Sequence, residues 1–386
     1  MLEDKSILIL GIGNAGCQVA NLAEKRYPIL FDTIYINSSD ADLAMVQGAI
    51  KFKIGEKIEG TGKNRLKMKQ YLKDDIKNIL NNQTFGETMS GKKYVFVVAS
   101  TAGGTGSGSA PVMMEVLRTC FPNKKYVLVG ILPQLQASLM EQGNTIEFLN
   151  ELYEELGSDT TYMIYDNETS SVGYSPTEGL EIVNDAIVED IRVLSGIDNY
   201  PTPYDSIDEA DLQSIISTPG RLLVVRIKKG LTEKVFEDNQ IDDMIIKSIK
   251  QSHHTETDRN RKVVRWGIIT YFTESVNRLY MASLEKLNSF LGTPVERFNH
   301  HAINDKPEAH NFFYLISSGL SPINDRIKRI NERIESLKQA LAEAASTKSI
   351  LNGEDLVYDI SADRRKEEKV LNDTPVNPLD IFNRFM

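Results

Sequence analysis

Two glycine-rich stretches hold the residues of this chain best suited to chemistry. The first, ILILGIGNAGCQVANLAEKR (Ile7–Arg26), runs from an apolar segment through Gly11, Gly13 and Gly16 into a helical pattern. The second, STAGGTGSGSAP (Ser100–Pro111), follows the apolar segment YVFVVA and again opens onto a helix. Thr105, Ser107 and Ser109 alternate there with glycines, so side-chain bulk is small. Such turns let successive backbone N–H groups face an anion, and the helix behind them adds the positive end of its dipole. Two turns of this kind in one sheet imply two walls around a single polyphosphate.

The question is which phosphate compound. The spacing G-x-G-x-x-G at Gly11–Gly16 is that of a dinucleotide site, which also needs an acidic residue ending the second strand to hold the ribose. Here that strand, DTIYINSSD, ends in Asn37, and Asp40 lies past its end. A Walker A lysine motif is absent too: GTGKN (Gly60–Asn64) has Asn where Ser or Thr should meet magnesium. A nicotinamide- or flavin-dependent oxidoreductase would explain the first turn and gives no reason for AGGTGSG.

AGGTGSG resembles the tubulin signature, GGGTG(S/T)G, of the tubulin/FtsZ superfamily of GTPases, and the resemblance extends over about Lys5–Ala345. It implies that Ala102, Gly103, Gly104, Thr105, Gly106 and Ser107 form one phosphate loop. Gly13, Asn14, Ala15, Gly16 and Gln18 of GNAGCQ are similar to the other. Asn37 and Ser38 of NSSDADL would lie beside the phosphates, and Gly62 and Lys63 of EGTGKN fall where the family has its γ-phosphate-sensing loop. Asn167 in YDNE and Asn184 in EIVNDAI match the two guanine contacts. An asparagine amide offers both a donor and an acceptor to a purine edge.

DSIDEADLQSIISTPG (Asp205–Gly220) resembles the family's synergy loop, with Asp208 and Asp211 aligned on its two acids and Ser206 in place of the usual Asn. Read from the residues alone, two carboxylates three apart at a helix start face one way and complement the helix dipole. The resemblance implies catalysis instead. Copies of the chain would stack head to tail, bringing the acids of one subunit onto the γ-phosphate of GTP in the next, with Mg2+ spreading the charge. The expected cofactors are therefore GTP/GDP and Mg2+, with no metal set made of side chains, and the expected partner is the chain itself. The short GNAG loop, the long terminal helix and STPG are similar to the TubZ group of plasmid and phage relatives. That implies DNA segregation or positioning through a DNA-binding adaptor; the alternative is an FtsZ-like role in bacterial cell division.

Composition agrees. The 386 residues are 41% hydrophobic and 25% charged with net charge −10, so direct binding to nucleic acid or to an anionic membrane is not expected. No apolar stretch approaches the ~20 residues of a membrane span. The two cysteines, Cys17 and Cys120, have no metal spacing, which fits a cytoplasmic, reducing setting. The five histidines (His253, His254, His300, His301 and His310) fall in polar stretches and read as surface residues.

The elements that must position these residues alternate. Short apolar strands are expected at Ser6–Leu10, Thr33–Asn37, Tyr94–Ala99, Tyr126–Leu132 and Tyr162–Tyr165, with helices at Lys63–Asn81, Ser107–Thr119 and Leu139–Leu156 between them. The pattern predicts an α/β fold: a doubly wound parallel-sheet GTP-binding domain (1–176), a long central helix (177–200), a second, smaller α/β domain (201–320), a C-terminal helix (321–345) and a flexible tail (346–386). The second domain should hold strands at Leu222–Ile227, Val263–Phe272 and Phe312–Ser317 and helices at Asp242–Gln251 and Glu274–Leu291. The C-terminal helix should open at Ser321–Pro322 and lay Ile323, Ile327, Ile330, Ile334, Leu337 and Leu341 on the body. The tail ends in NPLDIFNRFM, and a helix from Pro378 would put Ile381, Phe382 and Phe385 on one face. Docking on the next subunit is the expected use of that face, with a lower assembly threshold as the result.

Overall fold

A computed structural model describes residues 5–170, 175–254, 264–280, 284–306, 308–352 and 377–386. The strands are β1 (Ile7–Ile12), β2 (Phe31–Asn37), β3 (Lys51–Lys53), β4 (Tyr94–Ser100), β5 (Lys125–Leu132), β6 (Thr161–Asp166), β7 (Gly220–Ile227), β8 (Val264–Phe272), β9 (Pro294–Ile303) and β10 (Phe312–Leu320). They form one sheet in the order β3-β2-β1-β4-β5-β6-β7-β10-β8-β9. The first six run parallel, and β1 sits where the order reverses, with β2 on one side and β4 on the other. In an open parallel sheet the ligand crevice lies at that switch point, beyond the strand C-termini. Those C-termini are where the two glycine turns are.

Helices α1 (Gly13–Arg26), α2 (Asp40–Met45), α3 (Arg65–Leu80), α4 (Gln83–Ser90), α5 (Thr105–Cys120), α6 (Leu139–Asn150) and α7 (Pro176–Val193) connect and cover these strands. Along β1, Ile7 and Ile9 face the cluster built on α1 and α7, while Leu8 and Leu10 face the one built on α3, α5 and α6. Alternation with period two on strands buried on both faces is why these segments read as unbroken apolar runs. Local signals fix the ends. Ser175 and Glu178 form a capping box on α7, with Pro176 at its first turn. Asn64 caps α3, accepting from the Lys67 N–H at 2.8 Å.

Beyond α7 come α8 (Glu209–Ile216), α9 (Glu233–Glu237), α10 (Ile241–Gln251), α11 (Glu274–Leu279), α12 (Glu285–Leu291), α13 (Asn324–Asn352) and α14 (Pro378–Phe385). Strands β7 and β10, and β10 and β8, pair antiparallel, and β9 adds parallel to β8. The seam between the two halves of the sheet is the pairs Thr161↔Gly220 and Tyr162↔Arg221.

Several expectations change. The stretch Glu274–Leu291 forms two helices, because Tyr280 turns its ring in against Phe236 and Phe272 and Leu284 adopts φ +50°. Strand β9, PVERFNHHAI, is mostly polar, and it was absent from the expected set, as was β3. The C-terminal helix opens at Asn324 rather than at Ser321–Pro322 and runs to Asn352, past Ser346. Its stripe lies on the body through Ile323 and Ile330, but Leu341 is exposed. His254 and His300 are buried, not surface residues. His254 Nε2 meets the Asp190 carboxylate at 3.0 Å, and His300 Nδ1 accepts from the Ile207 N–H at 3.2 Å. Residues 353–376, most of the expected tail, lie outside the described residues. Its end forms the expected helix, α14, with Ile381, Phe382 and Phe385 on the buried face. Here that helix packs on its own chain.

Candidate functional site

The two glycine turns meet. Gly13 holds φ +71°, and a Cβ there would lie 2.8 Å from the Gly106 nitrogen, so a side chain at this point would drive the walls apart. Gly106 in turn sits against the Ile12 carbonyl. Around Gly103, by contrast, nothing stands within 4 Å of where a Cβ would be, so this part of the turn is open. Below the first turn, the Cys17 thiol points to the Gly11 and Ile36 carbonyls at 3.5 and 3.7 Å. Burial pushes that thiol up to about 12, so it is a packing group and no nucleophile.

The neighbouring loops close in. Ser38 Oγ lies 2.6 Å from Thr105 Oγ1, which joins the end of β2 to the start of α5. Asn37 accepts from the Ser38 N–H at 2.8 Å and donates to Asp42 at 3.1 Å. The Gly60–Asn64 loop reaches the same place: the Gly60 N–H donates to the Ser38 carbonyl, and Gly104 packs on Thr61 and Lys63. Asn14 is exposed at the start of α1, and Gln18 donates to it at 3.4 Å. The expected phosphate residues, Gly13 to Gln18, Asn37, Ser38, Gly62, Lys63 and Ala102 to Ser107, therefore form one neighbourhood at the C-terminal edge of β1, β2 and β4.

Asn167 follows β6 directly and opens the turn Asn167–Ser170, and α7, which carries Asn184, packs on that turn. The residue before it, Asp166, takes two bonds from the buried Arg326 of α13, at 2.7 and 3.0 Å, and the same guanidinium donates to the Pro133 carbonyl. The residue after it, Glu168, accepts from the Leu135 N–H at 2.8 Å. Asn167 is thus clamped on both sides.

Asp208 and Asp211 form a reciprocal capping box on α8: the Asp211 N–H donates to Asp208 at 2.9 Å and the Asp208 N–H to Asp211 at 3.1 Å. That is the dipole-complementing role read from the residues alone, and it uses one oxygen of each carboxylate. Their position is the decisive feature. Glu209, between them, pairs with Lys93 at 2.6 Å, and Lys93 immediately precedes β4. The phosphate turn follows the other end of that strand. A strand of 7 residues at ~3.3 Å each separates acids from turn by roughly 20 Å.

Residues 6–170 match the model described as "Tubulin/FtsZ family, GTPase domain". Residues 6–170 therefore carry the GTPase-domain pattern of the tubulin/FtsZ family. A TubZ tubulin-like protein of Clostridium botulinum C phage is 23% identical over 367 residues, 92% of each chain. A CetZ tubulin-like protein of Thermococcus kodakarensis is 26% identical over 268 residues, 68% of each. The fold of TubZ from Bacillus thuringiensis serovar israelensis, solved as a GTPγS-form protofilament, superposes with a TM-score of 0.69 at 16% identity, covering 90% of this chain and 94% of that one.

Sequence reading missed the residues that hold the loops. Asn144, on α6 and 9% exposed, donates to the Lys63 and Ala102 carbonyls at 2.9 Å and to the Gly103 carbonyl at 3.2 Å. It ties the two loops together through three of their carbonyls. Glu141, one turn earlier, meets Lys63 at 3.0 Å. Burial works to raise the Glu141 carboxyl, but the Ser138 and Lys63 donors outweigh it and hold the group below its ordinary value. An Asn and a Glu three apart on an amphipathic helix give no sequence signal of this kind. Arg326 had one: a cation at a position that should be apolar, in the first turn of the final stripe.

Proposed function

We propose that this chain is a GTP-hydrolysing filament protein. It binds GTP between the Gly13–Gln18 and Ala102–Ser107 turns, reads guanine with Asn167 and Asn184, and stacks head to tail with copies of itself. The observation that carries the reading is the roughly 20 Å separation of Asp208 and Asp211 from the phosphate turn. Within one subunit these acids cannot touch the phosphates. Set against the turn of the next subunit, they can position and polarise a water. Phosphoryl transfer depends mainly on such positioning and on charge stabilisation, so an unpaired subunit should be nearly inert. A head-to-tail contact that does not close on itself builds a filament.

The cradle fits a triphosphate by its glycine contacts and open turn. Among the described residues no group of three or more His, Cys, Asp or Glu side chains is arranged to hold a metal ion. Mg2+ bound with the nucleotide would sit mainly on phosphate oxygens and water and would offset their charge. The same reading keeps the division at the central helix, with residues 1–176 binding nucleotide and 201–320 backing the acids.

The finer proposal is that the filament moves plasmid or phage DNA through a DNA-binding adaptor. It is supported by the net charge of −10, which leaves direct DNA binding to another protein, and by the extent of the match to a phage protein. No described helix is long and apolar enough to cross a membrane.

The test is sedimentation and phosphate release with GTP, GDP and ATP over a range of protein concentrations. The expected result is pelleting with GTP and a turnover per subunit that rises steeply through an assembly threshold. Turnover per subunit that stays constant with concentration would refute assembly-linked hydrolysis.

A further inference from the structure

Helix α14 sits in a groove lined by α3, α5 and the π-helical turn Glu151–Glu155. Asn377 caps it, accepting from the Leu379 N–H at 3.1 Å. Ile381, Phe382 and Phe385 are 1%, 0% and 5% exposed and join the apolar cluster that includes Met68, Leu72, Met113 and Leu152. At the rim, Arg384 pairs with Glu115 of α5 at 2.5 Å.

A line of buried polar contacts leads on from the docked helix. Lys69 donates to the Phe385 carbonyl. The same ammonium lies 2.6 Å from Glu151 Oε1, and Glu151 Oε2 lies 2.6 Å from the Arg65 guanidinium. Arg65 donates to the Ser107 carbonyl at 2.8 Å, and the Ser107 hydroxyl donates to the Gly103 carbonyl. Ser107 and Gly103 belong to the AGGTGSG turn. The side chains of Arg65, Lys69 and Glu151 are 7%, 7% and 9% exposed, so water cannot readily replace any of these partners.

We infer that the α3–α5 groove is a binding site for a short amphipathic helix, that its ligand is the chain's own Asn377–Met386, and that its occupancy is coupled through Lys69, Glu151 and Arg65 to the phosphate cradle. The coupling half of this inference rests on the nucleotide reading above. A helix of 8 residues with three apolar anchors has the form of ligands that dock in grooves and leave them again. The tether favours the chain's own helix over a second copy: at an effective concentration of about 1 mM, a segment with a free-peptide Kd of about 10 μM stays docked by about 100 to 1. When α14 leaves, Lys69 loses the Phe385 carbonyl and gains access to water. Glu151 then no longer has a fixed partner on its outer oxygen, and Arg65 is held less firmly on Ser107. Docking therefore orders the cradle, and by reciprocity bound nucleotide strengthens docking by the same factor.

The experiment uses the full chain, a truncation lacking Asn377–Met386, the variants R384E and E115K, and the charge swap R384E/E115K. A fluorescein-labelled peptide of Asn377–Met386 is titrated by anisotropy, and release of mant-GDP is followed by stopped flow. The peptide should bind the truncated chain with a Kd of about 10 μM and the full chain far more weakly, because α14 already fills the site. The truncated chain should release mant-GDP about fivefold faster or more, and saturating peptide should restore the slow rate. Nucleotide should raise peptide affinity by the same factor by which saturating peptide raises the equilibrium affinity for mant-GDP. R384E and E115K should each speed release, and the charge swap should reverse it. A truncated chain with native circular dichroism that does not bind the peptide overturns the groove site. Peptide binding with unchanged mant-GDP release overturns the coupling. If the truncated chain does not fold, unchanged release in both R384E and E115K overturns the inference in its place. A full chain that binds no guanine nucleotide refutes the proposed function instead, and the peptide titration still decides the groove.

Discussion

Asn144→Ala should weaken nucleotide binding by releasing the proposed phosphate loops from behind. The native amide has two N–H groups and reaches three carbonyls, those of Lys63, Ala102 and Gly103, at 2.9, 2.9 and 3.2 Å, so one hydrogen is shared. The site is 9% exposed, and water cannot fully take over the abandoned oxygens. Leaving buried acceptors unpaired costs about 1–3 kcal/mol. If the loops must be re-formed to bind phosphate, that cost appears in the dissociation constant as about a 5- to 150-fold loss. Asn144→Asp has the same shape and should be worse, because a carboxylate cannot donate to carbonyls and adds a negative charge beside the anion. The assay is mant-GTP titration at fixed temperature, alongside thermal melts of the nucleotide-free protein. A lower melting temperature with mant-GTP affinity within about twofold of native would show that Asn144 supports the fold only, and would refute the positioning argument.

Other outcomes follow from the same geometry. Asp208→Asn keeps a residue able to cap α8 while removing the charge, so it should assemble with GTP as native does yet hydrolyse ~10²–10⁴ times more slowly; phosphate release at the native rate would remove Asp208 from the reaction. Asn167→Ala and Asn184→Ala should each reduce GTP affinity by about 1–3 kcal/mol and narrow the preference over ATP, measured by competition against mant-GTP. Asp190→Ala takes from the Arg226 cation of β7 its 2.7 Å carboxylate partner and leaves it only Glu189, at 4.0 Å. It should cost about 3–5 kcal/mol in urea unfolding. Burial works to raise the Asp190 carboxyl, but Arg226, His254 and Tyr165 overcome it and hold the group below its ordinary 3.8. A depressed carboxyl stabilises the fold above its unfolded pKa and ceases to do so as pH falls through the folded one. Native protein should therefore lose stability below about pH 4 more steeply than Asp190→Asn does.

Strands β1, β2, β4, β5 and β6 were readable because each is apolar on both faces, and β1 and β4 also lead into glycine turns; β3, three partly exposed residues, had no such signal. The glycine turns and the capping residues were readable for the same reason: each is a local solution to a local steric or hydrogen-bond problem. The missing pieces are non-local. Strand β9 is polar and borrows its strand character from β8, so its sequence has no period to find. Asn144, Arg65 and Arg326 act on carbonyls and carboxylates far away in sequence, and a single side chain on a helix does not announce which distant backbone it will meet. His254 and His300 looked like surface residues because their partners, Asp190 and the Ile207 N–H, arrive from other elements. The final apolar run did announce a helix and its buried face, but not the groove that receives it. That groove is made by α3, α5 and a π-helical turn, three segments separated along the chain.

The central claim is that the catalytic site is shared between two subunits, and a mixing experiment tests it most directly. One variant, Asp208→Ala/Asp211→Ala, retains the phosphate cradle and lacks the acids. The other, Gly103→Asp, retains the acids and places a negative charge at the open turn, where no neighbouring atom stands within 4 Å and the fold has room for it. Each variant alone should release little phosphate from GTP. Mixed in equal amounts above the assembly threshold, they should recover hydrolysis, because some contacts then join an intact cradle to intact acids. A mixture that co-assembles and stays as inactive as its parts would contradict the shared site.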